Sequence, residues 1–207
     1  MIKILGRADS INVRKILWVC DELNLGYQRE DWGRGFQSPK QAEFLARNPN
    51  ATIPVLIDDD FVLWQSNSIL RYLANAYVGE KLYPTDPRKR ALIDQWIDWQ
   101  GIELNNSWVY ALMHFIRHSP EHQDSQKIAQ SVESWNAMML ILEQQLAKTQ
   151  AYVIGAEFSL ADIVIGLSVQ RWYLTPFDKP DCPNIKAYYE LLSRRAAFMR
   201  WGNNGQN

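Results

Sequence analysis

Apolar positions in the first third of the chain alternate between the two-residue period of strands and the 3.6-residue period of helices. Beyond that third only the helical period persists. Residues 3–5 predict a first strand and Gly6-Arg7-Ala8-Asp9 a loop. A helix follows over 11–23, with Val13, Ile16, Leu17 and Cys20 on one face. Asn24-Leu25-Gly26 ends it, 27–30 predict a second strand, Gly33-Arg34-Gly35 a loop and 39–47 a short helix. Residues 48–54 form a proline-centred loop, and Val55-Leu56-Ile57 and Phe61-Val62-Leu63 are strands around the polar turn Asp58-Asp59-Asp60. From Ser66, placed as N-cap, a helix runs to Tyr77 with Ile69, Leu70 and Leu73 on its apolar side. The order β-α-β-α-β-β-α is a small α/β layer.

Gly79, Pro84 and Pro87 interrupt the pattern, so the expected division is an N-terminal unit over 1–78, a linker over 79–87 and an all-helical unit over 88–207. Leu92, Trp96 and Trp99 open a helix that continues towards His118 until Pro120 breaks it. Ile128, Val132, Trp135, Met139, Leu142 and Leu146 form a core-facing stripe. Ser159-Leu160-Ala161-Asp162 reads as a capping box, with Phe158 set to staple onto Ile163, and the run 163–167 is apolar all round, as a central buried helix requires. Pro183 starts another helix through Ile185, Tyr188 and Leu192, and the tail 202–207 is expected to fray.

Composition narrows the partners. The 207 residues carry a net charge of −1, which gives no electrostatic footprint for nucleic acid or an anionic membrane. No leader-like pattern or membrane-spanning apolar run is evident, so a cytoplasmic protein is expected. The two cysteines, Cys20 and Cys182, lie far apart and predict neither a disulfide framework nor a thiolate metal site. His114 and His118 have one-turn spacing, but Pro120 takes His122 out of register and no further ligands stand nearby, so no metal is expected. Nine tryptophans, concentrated after Trp64, suggest aromatic surfaces or interfaces.

The 48–77 stretch carries the chemistry. Pro54 holds Ile53 extended, and a cis bond there would turn the Ile53 main chain outward to pair an extended peptide. The helix start at Ser66 offers free N–H groups and positive dipole potential to a carboxylate. Read locally, the same residues also make an ordinary turn and cap. The run Asn48-Pro49 … Ile53-Pro54-Val55-Leu56, followed by Gln65-Ser66-Asn67-Ser68-Ile69-Leu70-Arg71-Tyr72-Leu73, resembles the glutathione-binding half of the cytosolic glutathione transferases. The capping box resembles the start of that family's C-terminal core helix, which extends the resemblance over nearly the whole chain. It implies a thioredoxin-like N-terminal domain with parallel first strands, an all-α C-terminal domain, and a homodimer. It also implies that Ile53, before cis-Pro54, pairs with the cysteinyl backbone of glutathione, and that Gln65 and Ser66 hold the γ-glutamyl end. Ala51 stands where many members have glycine, and Gln65 where many bacterial members have glutamate.

Glutathione transfer needs a thiolate, and a free thiol with a pKa near ~8.5 is mostly protonated at neutral pH. Lowering that value by two units takes roughly 2.7 kcal/mol of preferential thiolate stabilisation. The end of the first strand and start of the first helix, residues 6–15, hold neither tyrosine nor cysteine. Ser10 and Asn12 remain as thiol-activating candidates, and the Ser-x-Asn-Val-x-Lys run resembles a serine- or asparagine-dependent bacterial group. Ser10 is equally suited to capping the helix. Lys40, Gln37 and Thr52 are candidates for the glycyl carboxylate. Trp99, Trp108, Tyr110 and Met113 are candidates for an electrophile pocket, and each is also suited to a core.

The expected function is therefore a detoxification-type glutathione transferase, with glutathione as co-substrate and a small hydrophobic electrophile. The alternatives are a non-catalytic binding or regulatory protein of the same fold, and glutathione-dependent disulfide or peroxide reduction on the same site.

Overall fold

The computed structural model describes residues 1–205. Four short strands form one sheet in the order β2-β1-β3-β4. They are β1 (Ile2–Leu5), β2 (Tyr27–Glu30), β3 (Val55–Asp58) and β4 (Phe61–Trp64). β1 and β2 are parallel, as the resemblance implied, with Ile2 opposite Tyr27. The pairs β1–β3 and β3–β4 are antiparallel, with Leu5 opposite Val55 and Val55 opposite Trp64. The parallel pair needs a crossover, which α1 (Ile11–Glu22) supplies, and Asp59-Asp60 suffices to turn β3 into β4.

α1 and α3 (Ser66–Ala76) pack on one face of the sheet. The other face holds a small cluster of Leu5, Trp32, Phe44 and Val55, to which α2 (Ala42–Leu45) contributes Phe44. The predicted 39–47 helix shrinks to those four residues because the surrounding chain is exposed and only Phe44 anchors it.

The rest is helical: α4 (Pro87–Trp99), α5 (Asn105–Phe115), α6 (Ser125–Thr149), α7 (Leu160–Leu174), α8 (Pro183–Leu192) and α9 (Ala196–Trp201). Asp86 caps α4 through the Arg88 and Lys89 amides at 3.0 and 2.8 Å, with Pro87 as first residue. Pro87 thus opens a helix instead of closing a linker. α4 does not run unbroken towards His118. Gln100–Leu104 is a π-helical segment joining α4 to α5, and α5 ends at Phe115. Asp124 caps α6 in the same way as Asp86.

α7 is the buried axis, with every residue from Leu160 to Trp172 inaccessible. Gly166 lets it meet its neighbours. A Cβ there would sit 2.7 Å from Leu192 Cδ1 and 3.2 Å from Trp18 Cη2. A single apolar core accordingly runs from Ile4 through α1 into α7 and α8. α9 closes over α1: Trp201 Nε1 donates to Asp21 at 2.7 Å, and Arg195 pairs with Glu22 at 2.5 Å. The tail is tethered as far as described, because the Asn203 amide donates to the Phe198 carbonyl and Asn204 Oδ1 accepts from Arg14. Residues 206–207 of the expected fray lie outside the described residues.

Ahead of α7, Asp162 is fully buried and accepts from the Ser159 amide (2.8 Å), the Ser159 hydroxyl (3.0 Å), the Val153 amide (2.9 Å) and Tyr188 Oη (3.1 Å). The serine hydroxyl donates to the carboxylate itself. Phe158 stacks against Trp18 and Tyr152 at 5.9 and 5.5 Å, which is where its apolar surface goes. Burial raises the Asp162 pKa to about 6 despite the four donors. The native state therefore takes up a proton that the unfolded state releases, between the ordinary carboxylate value and about 6, and the stability this group contributes is lost as pH rises through that window. Asp162→Ala orphans several buried donors and lowers the unfolding free energy by about 2 kcal/mol or more. Denaturant melts of wild type against Asp162→Asn check the sign: the wild type loses ground to the amide variant as pH rises from 4 to 7.

Candidate functional site

Three segments converge at one end of the central strands β1 and β3: the 48–54 loop, the start of α1 and the start of α3. The Asn48 side chain shapes the loop. Its Nδ2 donates to the Thr52 carbonyl at 2.7 Å and to Thr52 Oγ1 at 3.3 Å, and its Oδ1 accepts from the Asn50 amide at 3.0 Å. Ala51 has φ +54, a left-handed conformation that favours glycine, and its small side chain limits the cost. The Ile53–Pro54 bond is cis. Pro54 is buried, Ile53 is half-buried, and Thr52 is exposed.

Gly6 brings the end of β1 against both neighbours. At φ +151, a Cβ there would lie 2.6 Å from Val13 Cγ2 and 3.3 Å from Ile53 Cβ. α1 then starts at Ile11 with Ser10 in the N-cap position. The Ser10 carbonyl accepts the Arg14 amide at 2.9 Å, but the Ser10 hydroxyl makes no capping bond. Its side chain is therefore not spent on the cap, the local role that the sequence left open. Asn12 is the second residue of the helix and half-buried.

At α3 the cap is Gln65, not Ser66. Gln65 adopts φ +73, ψ 109, and Ser66 is the first helical residue. A glutamine in this region costs about 1–3 kcal/mol and persists only where the surroundings impose it. The Gln65 side chain is exposed, and the amides of Ser66, Asn67 and Ser68 precede the first intrahelical bond, Ile69 N to Gln65 O at 2.9 Å. The Ser66 hydroxyl is buried and donates to Asn12 Oδ1 at 3.3 Å, joining α3 to α1. That bond leaves the Asn12 NH2 group as a donor.

The surroundings are cationic. Arg7 ion-pairs with Asp9 at 2.5 Å, while its Nε is buried without a hydrogen-bond partner among the described residues, beside Gly33. Burial lowers the pKa of Arg117, helped by Arg34 and Arg7, and lowers Arg171 to about 9, helped by Arg14 and Arg117. Arg14 falls to about 10 through burial. Lys15 is buried with Nζ 3.0 Å from both Asn67 Oδ1 and Gln100 Oε1. Sequence reading gave Arg7, Arg14 and Lys15 no more than a contribution of positive potential nearby, and it assigned Arg117 and Arg171 no role. The signal was present as two adjacent basic residues inside an apolar helix, where a solvated face was the simpler expectation.

The other candidates scatter. Lys40 and Gln37 are exposed, and no side-chain bond draws either to the loop. Trp108 lies between Trp135 and the Arg171 guanidinium, 4.7 Å from its ring. Tyr110 stacks on His122, and its hydroxyl accepts the Asp124 amide at 3.3 Å. Met113 is half-buried. Trp99 packs on Trp96 and lines an outer depression of about 440 Å³ with Ile102 and Ile141. His118 is off the helix at φ +48, and His114 Nδ1 is bonded to the His122 carbonyl at 3.0 Å, so the one-turn pair is not presented on one face.

Comparison with known proteins agrees with this architecture. Residues 2–75 match the family model described as Glutathione S-transferase, N-terminal domain, and residues 108–196 match the C-terminal domain model. The chain is 36% identical over 202 residues to glutathione S-transferase GstB of Escherichia coli, covering 97% of each chain. It is 32% identical to glutathione S-transferase D6 of Drosophila melanogaster over 80% of this chain and 70% of that one. Among solved structures, the theta class glutathione S-transferase of Xanthomonas axonopodis pv. citri, with glutathione bound, superposes with a TM-score of 0.89 at 34% identity, over 97% of this chain and 96% of that one. The chain belongs to the glutathione S-transferase family.

Asn48→Ala removes the bonds that shape the loop. It is expected to cost about 1–3 kcal/mol of stability and to weaken glutathione binding beyond what the folded fraction explains. Calorimetric titration at a temperature where both proteins are folded checks this, and unchanged affinity would show that the loop holds its shape without Asn48.

Proposed function

We propose that the protein is a glutathione transferase that binds glutathione where these three segments meet, lowers its thiol pKa, and directs the thiolate at a small hydrophobic electrophile. The carbon–sulfur bond forms as the electrophile's leaving group departs with its electrons, or as the thiolate adds to an activated double bond whose displaced electron pair then takes a proton from water. The observation that carries the reading is the 3.3 Å contact between Ser66 Oγ and Asn12 Oδ1. It puts the helix start suited to a carboxylate and the segment suited to the thiol within one hydrogen bond of each other. A relative of the same fold, similar over nearly its full length, has glutathione bound.

In this reading the γ-glutamyl carboxylate takes the free amides of α3 with Gln65 and Ser66, where the helix dipole favours negative charge. The Ile53 main chain, outside the β3 ladder and ahead of Pro54, pairs with the cysteinyl unit. The glycyl end lies towards Thr52 and Lys40. The sulfur faces Ser10 and Asn12, whose hydroxyl and amide N–H groups donate to a thiolate but gain less from a thiol. That difference lowers the pKa. Trp108, Tyr110 and Met113 supply apolar surface from α5. The exposed edge strand β4, with Phe61, Val62 and Trp64 uncovered, supports a homodimer contact. The enzyme is read as cytoplasmic.

Bound glutathione is expected to show a thiolate pKa at least one unit below the free value, followed by ultraviolet absorbance against pH. Ser10→Ala or Asn12→Ala raises it, and the larger rise names the principal donor. Gln65→Ala weakens binding about tenfold with little change in melting temperature. Absence of binding at millimolar glutathione would overturn the reading.

A further inference from the structure

Lys15 is 2% exposed, yet its two hydrogen-bond partners among the described residues are neutral amides. Each amide is oriented in advance. Asn67 Nδ2 donates to the Ile97 carbonyl at 3.2 Å, which turns Asn67 Oδ1 to Lys15. Gln100 Nε2 donates to Asn105 Oδ1 at 3.0 Å and to Ser168 Oγ at 3.1 Å, which turns Gln100 Oε1 to the same point. Ser168 Oγ is itself fixed on the Val164 carbonyl at 2.9 Å. Two carbonyl oxygens from α3 and the π segment thus converge on an ammonium from α1, and the chain behind them reaches α7.

A buried ammonium among neutral partners is expensive, and an apolar side chain would fill the space without the desolvation cost. Among the described residues, no carboxylate pairs with it to offset that cost. Arg171 of α7 repels Lys15. The carboxylates of α4 nearest to α3, Asp94 and Asp98, are engaged by Arg71 at 2.6 Å each, and Arg14 turns the other way, to the Trp201 carbonyl and Asn204. Asp162 is spent on its own donors at the start of α7. Asn67, however, immediately follows Ser66 in the first turn of α3, where free amides await an anion.

We propose that Lys15 is a positioning residue of the glutathione site, which fixes the first turn of α3 through Asn67 and lends its positive charge to the γ-glutamyl carboxylate bound there. The proposal rests on the reading that glutathione binds at Gln65 and Ser66. It has a titratable consequence, because burial first and Arg171 second lower the Lys15 pKa to about 7. The charge is therefore present below neutrality and fades above it, and a bound carboxylate pulls the proton back on. The network tolerates both forms, since a neutral amine still donates two hydrogen bonds.

The test uses S-methylglutathione, whose sulfur cannot ionise, so the pH dependence of binding excludes the thiol. Wild-type affinity measured by calorimetry is expected to fall at least threefold from pH 6 to pH 8. Lys15→Met is expected to bind about tenfold more weakly at pH 6 and to lose that fall, whereas any titration of the ligand itself would be shared by both proteins. Lys15→Arg, charged throughout, is expected to hold its pH 6 affinity at pH 8. A flat wild-type profile overturns the proposal without any variant, which guards against Lys15→Met failing to fold. A Lys15→Met profile that matches wild type overturns the Lys15 role alone, leaving glutathione binding intact. Failure of wild type to bind at all overturns the site reading and this one together.

Discussion

Burial of α1 is the constraint on which the rest depends. From Val13 to Cys20 every side chain is inaccessible, including Arg14 and Lys15. The sheet, α3, α7 and α9 all pack against it, and the core that runs through the whole chain passes along it. Because Ser10 is the N-cap of α1 and Asn12 lies in its first turn, the half-buried pair is carried on the end of a helix whose next eight residues are packed on all sides. A reacting sulfur needs donors held within a few tenths of an ångström, and rigid elements deliver that better than loops.

The same burial ties the two halves of the molecule together. Trp18 touches Phe158 and Phe198, Glu22 takes Arg195, and Gly166 admits both Trp18 and Leu192. A ligand anchored at α3 therefore rests on helices from the far end of the chain. The polar path from Asn67 through Lys15 and Gln100 to Ser168 crosses the same boundary, where most of the neighbouring contacts are apolar. Apolar contacts fix how closely the halves approach, and a hydrogen-bonded path fixes their register.

Much of this was legible in the sequence, for identifiable reasons. Strands and helices followed their periods, and the loop around Pro54 with the Gln65-Ser66 start pointed to the region where the three segments meet. The misreadings were local. Ser66 looked like a cap because serine so often is one, yet Gln65 takes that place in a conformation that no propensity favours. A single helix to His118 was read from continuous periodicity, which is blind to five residues wound one size wider. Lys15 was legible only as nearby positive potential, because its partners Asn67 and Gln100 are 52 and 85 residues away. One-dimensional patterns register what a residue shares with its near neighbours. A polar group whose partners arrive only through tertiary packing leaves no such trace.

The widened turn at Gln100–Leu104 also sets a phase. A π-helical turn of this kind accommodates one extra residue within an α-helix, and each residue advances the helix by roughly 100°. The five residues act as a fixed angular offset between α4 and α5: Ile93 and Ile97 face the core before it, Ala111 and Leu112 after it. Excising one residue there would keep every hydrophobic side chain in the sequence while turning Trp108 and Arg117 about a quarter-turn away from their present faces. The orientation of α5 is thus indexed by the length of this segment as well as by its composition, and a lineage that gained or lost one residue here would have turned every side chain of that helix without changing any of them.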